Sequence, residues 1–385
     1  MLRAYYVEIA PNKIQANQIN KTIGVCRFVY NFYIAHNQEV YKNGGKFVSG
    51  YAFEKWMNNE YLPQNKDYLW IKDVSTKAVK KSIMNAQKAF KDFFKGTKGY
   101  PNFKKKKNQD VKAYFPKNNK TDWTILNRKI KIPTLGFVTI KDKGYIPFSS
   151  KVESGTVSCI AGRYYLSLLC ELPDSKAKKD NIFNDGIGVD LGLKDFLVSS
   201  NGITIKNINK TKKMKQLNKK LIHEQRKLSR KYESKKVMPK QEFYKNIEKQ
   251  IKVVQRIHAK INNIRTNHLN QSVNALVKTK PRYITIEDLN VKGMMKNKHL
   301  AKAIASQNFY TFRIKLKSKC LQHNIELRLV DRWFPSSKTC SCCGHIKIDL
   351  KLKDRKFICP KCNMKLDRDW NASINLRNAK EYTLA

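Results

Sequence analysis

The sequence is short of acidic residues. Its 385 residues contain 30 Asp and Glu against 78 Lys and Arg, which gives a formal net charge of +48. A self-contained domain with this imbalance would repel itself strongly, so we expect a polyanionic partner. The excess is mostly lysine along the whole chain, interleaved with 18 Tyr and 18 Phe that can stack on bases. The composition favours nucleic acid over the alternatives, a ribosome-associated or membrane-surface role.

Long apolar runs are also missing. No run reaches the ~18 residues that a helix needs to span a bilayer, and no long amphipathic basic segment stands alone as an anchor. The sequence has no secretory signal, so we expect an intracellular protein. In a reducing compartment, clustered cysteines are more often metal ligands than disulfides.

Four of the nine cysteines form two Cys-x-x-Cys pairs separated by fifteen residues, Cys340/Cys343 and Cys359/Cys362. Four thiolates at this spacing are typical of a structural zinc site. The alternatives are a disulfide pair or chance clustering. Cys342 makes the first pair ambiguous, but it follows Cys340 too closely, so Cys343 fits better. The remaining cysteines lie in apolar or helical contexts and are interpreted as buried thiols: Cys26, Cys159, Cys170 and Cys320.

The first half of the chain predicts strands interrupted by helices. Residues 4–9 predict a first strand, and short alternating strands occupy residues 112–172. Apolar spacings of three and four predict amphipathic helices over residues 11–95. We expect a β-barrel of five or more strands formed by residues 1–10 and 96–180, with the helices inserted into it.

Two lysine-rich surfaces in this half are candidates for nucleic-acid contact. A helix predicted from Ser75 to Phe94 carries lysines opposite its apolar face, and the loop at residues 96–112 carries more. Such a loop suits phosphate contacts, which position a nucleic acid without reading its sequence. The common alternative for the helix is a solvated face. The candidate contact residues are Lys77, Lys80, Lys81, Lys104 and Lys105.

In the second half, two apolar strands end in an acid and one helix begins with one. Asp190 follows the strand Ile-Gly-Val, Glu287 follows Tyr-Ile-Thr-Ile, and Asp369 opens the last helix. In an RNase H-like fold these ends converge on one edge of the sheet. Carboxylates suit Mg²⁺, and two such ions about 3.5–4 Å apart can hydrolyse a phosphodiester. The alternative for any single acid is an ordinary strand-end or N-cap residue.

These patterns define the domains that we expect after a polar linker at residues 173–184. An RNase H-like nuclease domain would comprise residues 181–337 and 366–380. A helical hairpin would lie within it at about residues 211–277. The zinc ribbon at residues 338–365 would be an insertion. The fold class is therefore multi-domain α+β.

Short motifs spread over nearly the whole chain carry a family resemblance. They are Arg27-Phe-Val-Tyr-Asn31, Tyr100-Pro-Asn-Phe-Lys104, Gly188-Val-Asp190-Leu-Gly192, Ile286-Glu287-Asp-Leu-Asn290, Phe334-Pro-Ser-Ser-Lys338, the two Cys-x-x-Cys pairs and Asp367-Arg-Asp369-Trp-Asn-Ala372. With these motifs the sequence resembles the TnpB family, transposon-associated RNA-guided DNA endonucleases related to the type V CRISPR effectors.

The resemblance implies roles for individual residues. RuvC-type nuclease acids would stand at Asp190, Glu287 and Asp369 and hold two catalytic Mg²⁺ ions. Asp367 is the rival for the third position; we prefer Asp369, because in related effectors the acid directly precedes x-Asn-Ala. One structural Zn²⁺ would be held by the four cysteines of the Cys-x-x-Cys pairs.

The resemblance also implies an architecture and partners. The barrel would be a wedge domain, the inserted helices a recognition domain, and the zinc ribbon a target-nucleic-acid-binding insertion of the RuvC domain. The partners would be a guide RNA from the transposon end and double-stranded target DNA with a short adjacent motif. We expect a monomer in the cytoplasm of a bacterial or archaeal cell, associated with the nucleoid.

Two alternatives remain at this stage. A nuclease-dead, RNA-guided repressor would bind DNA without cutting it, and it would lack the acidic triad that this sequence retains. An unguided RNase H-like transposase or resolvase would need neither the helical insertion nor the zinc ribbon. An active guided nuclease agrees with all of these features.

Overall fold

The computed structural model describes residues 2–109, 111–117, 122–142, 144–148, 150–171, 184–237, 241–351 and 354–385, apart from the side chains at 235–237 and 241–244. The chain forms two compact units, Met1–Ala177 and Lys178–Ala385, each with its own hydrophobic core. The linker expected at residues 173–184 lies outside the described residues, except for Asn184. Within the described ranges, the search for a helix both long and apolar enough to cross a membrane finds none.

The first unit contains a seven-stranded antiparallel sheet. Its strands are β1 (Leu2–Ala10), β2 (Ala113–Pro116), β3 (Thr124–Ile125), β4 (Lys129–Ile132), β5 (Gly136–Ile140), β6 (Lys151–Ile160) and β7 (Arg163–Glu171). They lie in the order β2-β6-β7-β1-β5-β4-β3, so the first strand of the chain occupies the centre. The expected closed barrel is not found in the described residues: the edge strands β2 and β3 are short and do not pair with each other.

One face of this sheet forms the core of the unit. Along β1, Tyr5, Val7 and Ile9 are buried, while alternate residues face outward, as a strand with one covered face requires. Tyr5 lies opposite Leu168 and Val7 opposite Leu166 on β7. Residues of β1, β2 and β4–β7 meet in this single cluster.

The helices of the first unit follow β1 in sequence and have a separate, aromatic-rich core. They are α1 (Lys13–Lys42), α2 (Gly50–Trp56), α3 (Leu62–Gln64) and α4 (Thr76–Phe94), with a π turn at Met57–Tyr61 and a 3₁₀ segment at Lys66–Asp73. A capping box starts α1: Asn12 accepts from the backbone of Gln15, and Gln15 accepts from that of Asn12. The helices predicted between residues 11 and 95 are therefore present.

The second unit contains a six-stranded mixed sheet and a small two-stranded ribbon. The strands are β8 (Ile187–Leu191), β9 (Asp195–Ser199), β10 (Thr204–Lys206), β11 (Tyr283–Glu287), β12 (Glu326–Val330), β13 (Lys356–Ile358), β14 (Lys365–Asp367) and β15 (Thr383–Leu384). The sheet order is β10-β9-β8-β11-β12-β15, with β13 and β14 forming the ribbon. Strands β8–β10 are antiparallel, whereas β11 and β12 run parallel to β8. This arrangement confirms the predicted RNase H-like sheet.

Helices cover both faces of this sheet. They are α5 (Lys212–Val237), α6 (Gln241–Lys278), α7 (Val291–Met294), α8 (Ala301–Gln307), α9 (Phe309–Gln322) and α10 (Arg368–Arg377). Ile187 and Val189 of β8 join a core with α6, α8 and α9. Gly188, which alternates with them, lies against the backbone of α10. The side chains of β8 therefore divide between two helical layers.

The helical hairpin predicted at residues 211–277 is formed by α5 and α6. Met214 near the start of α5 packs with Ile257 and Ile261 near the middle of α6. Further along α5, the backbone oxygen of Glu224 accepts a hydrogen bond from Gln250 of α6 at 3.1 Å. The two helices thus run antiparallel.

Candidate active site and four-cysteine cluster

The register of the second sheet places two acids side by side. Thr285 of β11 pairs with Gly188 of β8, and Ile286 pairs with Val189. One step further along the parallel strands stand Glu287 and Asp190. Because Val189 and Ile286 point into the α6–α9 core, the two acids point to the opposite face, where α10 lies. Sheet geometry therefore brings together the first two predicted site residues.

The third acid reaches the same place from the first turn of α10. Burial raises the pKa of Asp190 well above its usual range, and the charges of Glu287 and Asp369 raise it further. The Arg368 guanidinium acts in the opposite direction and also contacts Asp369, with an N–O distance of 3.2 Å. Two strands and the first turn of a helix, far apart in sequence, thus bring Glu287 and Asp369 near enough for their charges to act on Asp190.

Glu287 has a specific hydrogen-bond partner. Burial raises the pKa of its carboxyl group, while a hydrogen bond from Ser336 lowers it. The Ser336 hydroxyl donates to Oε1 of Glu287 at 2.5 Å. Ser336 is itself buried and lies in the segment between β12 and the cysteines. Glu287 is consequently held in one orientation.

Asp367 and Asp369 occupy different positions. Asp367 is the N-cap of α10, and its carboxylate accepts hydrogen bonds from the backbone nitrogens of Asp369 at 3.0 Å and Trp370 at 3.2 Å. These hydrogen bonds are typical of an aspartate at the N-cap position of a helix. Asp369, rather than Asp367, is among the acids whose charge acts on Asp190. The N-cap role of Asp367 and the effect of the Asp369 charge on Asp190 therefore favour Asp369 as the third acid.

The two Cys-x-x-Cys pairs converge on one point. The sulfur atoms of Cys340, Cys343, Cys359 and Cys362 all lie within 4.8 Å of one another. The Cys340–Cys362 and Cys343–Cys359 separations are 3.6 and 3.5 Å. Sulfurs around a tetrahedral zinc ion lie about 3.8 Å apart, whereas a disulfide requires ~2.05 Å. The cluster fits a metal ion and excludes disulfides between these pairs.

Without a metal ion the four thiols do not ionise alike. Backbone hydrogen bonds from His345 and Met364 are outweighed by burial and by hydrogen bonds with neighbouring thiols, so the pKa of Cys343 is raised and that of Cys362 is raised to about 12. Burial opposes ionisation of Cys359, but backbone N–H groups of Cys362 and Lys361 and neighbouring thiols lower the pKa of Cys359 to about 6. A thiolate is the form of cysteine that binds metal. Cys342 is exposed and lies outside the cluster. The four-cysteine cluster can therefore bind zinc through Cys343 and not Cys342.

Comparisons with known proteins find three family models that match separate parts of the chain. Models of the IS605 OrfB family match residues 1–46 ("Helix-turn-helix domain") and 167–298 ("Probable transposase"). A third model, "Cas12f1-like, TNB domain", matches residues 309–376 and so includes the cysteine cluster and Asp369. The chain is thus similar to the IS605 OrfB family over two segments and to Cas12f1-like proteins over a third.

Two relatives match this chain over nearly its full length. A Streptomyces pristinaespiralis protein named "Putative RNA-guided DNA endonuclease" is 29% identical over 380 residues, covering 97% of this chain and 88% of that protein. "Putative RNA-guided DNA endonuclease InsQ" of Escherichia coli K12 is 27% identical over 399 residues, covering 100% and 94%. The cryo-EM structure of a Cas12f1–sgRNA–target DNA complex aligns over 99% of this chain and 100% of that chain, with 16% identity and a TM-score of 0.37.

The lysines predicted to contact nucleic acid lie on two parts of the first unit. Lys77, Lys80 and Lys81 are on α4, and Lys80 forms an ion pair with Glu54 at 3.1 Å. The side chain of Asn31 exchanges two hydrogen bonds with the backbone of Lys104, which fixes the basic loop against α1. These contacts join two of the motifs that carry the family resemblance.

Sequence reasoning missed two residues that contact the acids and the first cysteine pair. Ser336 binds Glu287, and Asn371 binds the backbone on both sides of Cys340. Ser336 lies in the Phe-Pro-Ser-Ser-Lys motif, and Asn371 lies in the Trp-Asn-Ala motif. Their presence in these motifs was the available signal, but a motif does not show which atoms a side chain contacts. A cavity of about 260 Å³ lies at the segment that follows β11, and it is lined by Asp288, Leu289, Asn290, Val291, Lys292, Tyr310 and Arg332.

Proposed function

We propose that this chain is a transposon-encoded, RNA-guided DNA endonuclease. The observation that carries the proposal is the meeting of Asp190, Glu287 and Asp369 at one end of the second sheet. Folding places these acids together although their charges repel. Such an arrangement is favourable when a cation binds there, and it has no evident structural purpose without one. The names of the full-length relatives supply the reaction class.

The donor set is suitable for Mg²⁺. This ion prefers carboxylate oxygens and keeps several of its waters, so three acids and a substrate phosphate suffice. The raised pKa of Asp190 supports the fit, because burial and the two neighbouring acids all disfavour its negative charge, and a bound cation would offset them. Two bound Mg²⁺ ions would activate a water and stabilise the leaving 3′-oxygen of the DNA phosphodiester.

The chain's own residues would hold the acids in place for this reaction. Asp190, Glu287 and Asp369 would be the metal ligands. Ser336 fixes the Glu287 carboxylate, and Arg368 pairs with Asp369 at the helix start. Arg368 also offsets part of the repulsion on Asp190. The site would therefore be formed before substrate arrives.

The net charge of +48 and the relatives' names support a guide RNA and double-stranded target DNA as partners. Pairing between guide and target would select the sequence, and the protein would read a short adjacent motif. Within this function we assign residues 1–10 and 96–180 to a wedge domain and residues 11–95 to a recognition domain. Lys77, Lys80, Lys81, Lys104 and Lys105 are the proposed contacts in these domains.

The remaining assignments concern the second unit. Residues 181–337 and 366–380 would form the RuvC-type nuclease domain, and residues 338–365 the insertion that contacts target nucleic acid. Zinc in the four-cysteine cluster would be structural, because four thiolates leave no position open for a reacting water. We place the working protein in the cytoplasm, near the nucleoid, as a monomer.

A cleavage assay that distinguishes three outcomes tests the proposal. The purified protein with its co-purified RNA is incubated with Mg²⁺ and a plasmid that carries a matched target. We expect cutting that requires the matched target and disappears after RNase treatment. Target binding without cutting would favour a nuclease-dead repressor. Cutting that survives RNase treatment with no guide present would favour an unguided transposase.

A further inference from the structure

Helix α10, which carries Asp369, holds the chain at the first cysteine. The Asn371 side chain is fully buried, and its two polar atoms flank Cys340. Its Nδ2 donates to the carbonyl oxygen of Thr339 at 2.7 Å, and its Oδ1 accepts from the backbone nitrogen of Ser341 at 3.0 Å. One amide thus fixes the backbone on both sides of a metal-binding cysteine.

A second amide on the same helix face binds the same segment. Asn375 lies one turn after Asn371, and its Nδ2 donates to the carbonyl oxygens of Ser336 at 2.7 Å and Thr339 at 2.6 Å. Positions four residues apart lie above one another on a helix. Breaking buried hydrogen bonds of this kind leaves polar groups without partners, which is costly. Helix α10 and residues 336–341 are therefore expected to move together.

The segment then reaches the second acid. Ser336, whose carbonyl oxygen binds Asn375, donates its hydroxyl to Glu287. Six consecutive residues, 336–341, consequently touch Glu287 at one end and contain Cys340 near the other. Along their length they are bound to α10, whose first turn carries Asp369.

We propose that the four-cysteine cluster positions the nuclease acids through this segment, with Ser336, Asn371 and Asn375 as positioning residues. This inference rests on the proposed function of the acids. A metal ion in the cluster fixes Cys340, and the amide of Asn371 transmits that constraint to α10. The cluster thus stabilises its own fold and also fixes the positions of two acids.

The direct test measures cation binding at the acids rather than cleavage. Mn²⁺ is titrated calorimetrically into the zinc-loaded full-length protein without nucleic acid, for wild type, Asn371→Ala and Ser336→Ala. We expect both variants to keep one zinc per chain and to bind Mn²⁺ about tenfold more weakly, a typical loss when a residue that orients a metal ligand is removed. Ser336→Thr, which keeps the hydroxyl, should recover part of the affinity.

Ser373→Ala is the matched control. Ser373 is also a buried polar residue of α10, but its hydroxyl donates to the carbonyl oxygen of Trp370 in the same helix. We expect this variant to bind Mn²⁺ as the wild type does. An equal loss in Ser373→Ala and Asn371→Ala would overturn the inference, because the effect would then follow from a general weakening of the helix.

A double-variant cycle tests whether the cysteine cluster acts through Asn371. Cys359→Ser should weaken Mn²⁺ binding, and adding Asn371→Ala to it should cause little further loss, because both break the same connection. If Asn371→Ala does not fold, Asn375→Ala replaces it. Independent, additive losses, or wild-type Mn²⁺ affinity in both Ser336→Ala and Asn375→Ala, would contradict the proposal.

These outcomes are distinguishable from failure of the proposed function. If the wild-type protein binds Mn²⁺ and this binding depends on Ser336 and Asn371, the positioning inference stands even when no DNA is cut. If the wild-type protein cuts guided DNA and Mn²⁺ binding is indifferent to both residues, the function stands and the positioning inference fails.

Discussion

Gly188 of β8 lies directly against the backbone of Ser373 of α10. A Cβ placed on Gly188 would overlap the carbonyl oxygen of Ser373 and the backbone nitrogen of Arg377. The strand that carries Asp190 and the helix that carries Asp369 in its first turn can approach this closely only because residue 188 has no side chain. The glycine in the Gly-x-Asp motif therefore determines the distance between two acids.

Gly188→Ala should separate β8 from α10. We expect a large loss of cleavage and a lower thermal midpoint, because the backbone atoms that a methyl group would meet cannot move aside singly. Gly24→Ala is the control, since Gly24 lies in α1 and a Cβ added there would meet no neighbouring atom within 4 Å. That substitution should leave stability equal or raised by up to about 1 kcal/mol. Equal cleavage by both variants would contradict the account.

Asp190→Ala should abolish cleavage and leave target binding intact. Removing this carboxylate deletes a metal ligand but leaves the basic surface of the protein unchanged. Cleavage gels and binding of the guide-loaded protein to a labelled target measure the two properties separately. A parallel loss of binding would indicate that Asp190 has a structural role instead.

The raised pKa of Asp190 predicts that the stability of the Mg²⁺-free protein depends on pH. Its folded-state pKa lies above the ordinary value of 3.8, so the folded state favours the protonated carboxyl. That favourable contribution is complete below pH 3.8 and is lost as the pH rises through the raised pKa. The side chain of Asp190→Asn does not titrate, so this variant should have a higher thermal midpoint than the wild type at pH 8. The midpoint should rise by about 2–4 °C for each kcal/mol of unfavourable free energy that the substitution removes from the folded state.

Calorimetric scans between pH 4 and pH 8 check this prediction. The difference between variant and wild type should shrink towards pH 4, and added Mg²⁺ should stabilise the wild type more than the variant. A variant that melts below the wild type at pH 8 without Mg²⁺ would show that the Asp190 charge is not a source of strain.

The cysteine cluster gives a prediction with an internal control. Cys359→Ser should lower the zinc content from one per chain towards zero and destabilise residues 338–365, since metal binding supplies much of the folding free energy of so small a module. Cys342→Ser should keep its zinc, because Cys342 lies outside the cluster. Elemental analysis of both purified variants measures this. Zinc loss in Cys342→Ser and retention in Cys359→Ser would reverse the ligand assignment.

Local patterns in the sequence predicted the elements that carry the site. Short apolar strands that end in Asp190 and Glu287 follow from alternation and turn residues, and an RNase H-like order then brings the strands together. The spacing of Cys340, Cys343, Cys359 and Cys362 predicted a cluster because metal ligands obey simple distance rules. These inferences depend on neighbours in sequence or on a fixed coordination geometry.

What the sequence could not provide are contacts between distant residues. The hydrogen bond from Ser336 to Glu287 spans 49 positions, and that from Asn371 to Thr339 spans 32. Neither leaves a periodic pattern. The sequence also suggested a barrel, because strand patterns predict which strands exist and do not predict whether edges such as β2 and β3 close.

The central claim is that a guide RNA directs the three acids to a DNA target. The most direct measurement replaces the guide segment of the co-purified RNA with an unrelated sequence and maps the cuts on a plasmid that carries both targets, each beside the same flanking motif. The account predicts that cutting moves to the newly matched target and that Asp190→Ala cuts neither. Cutting that stays at the original target, or continues in Asp190→Ala, would contradict it.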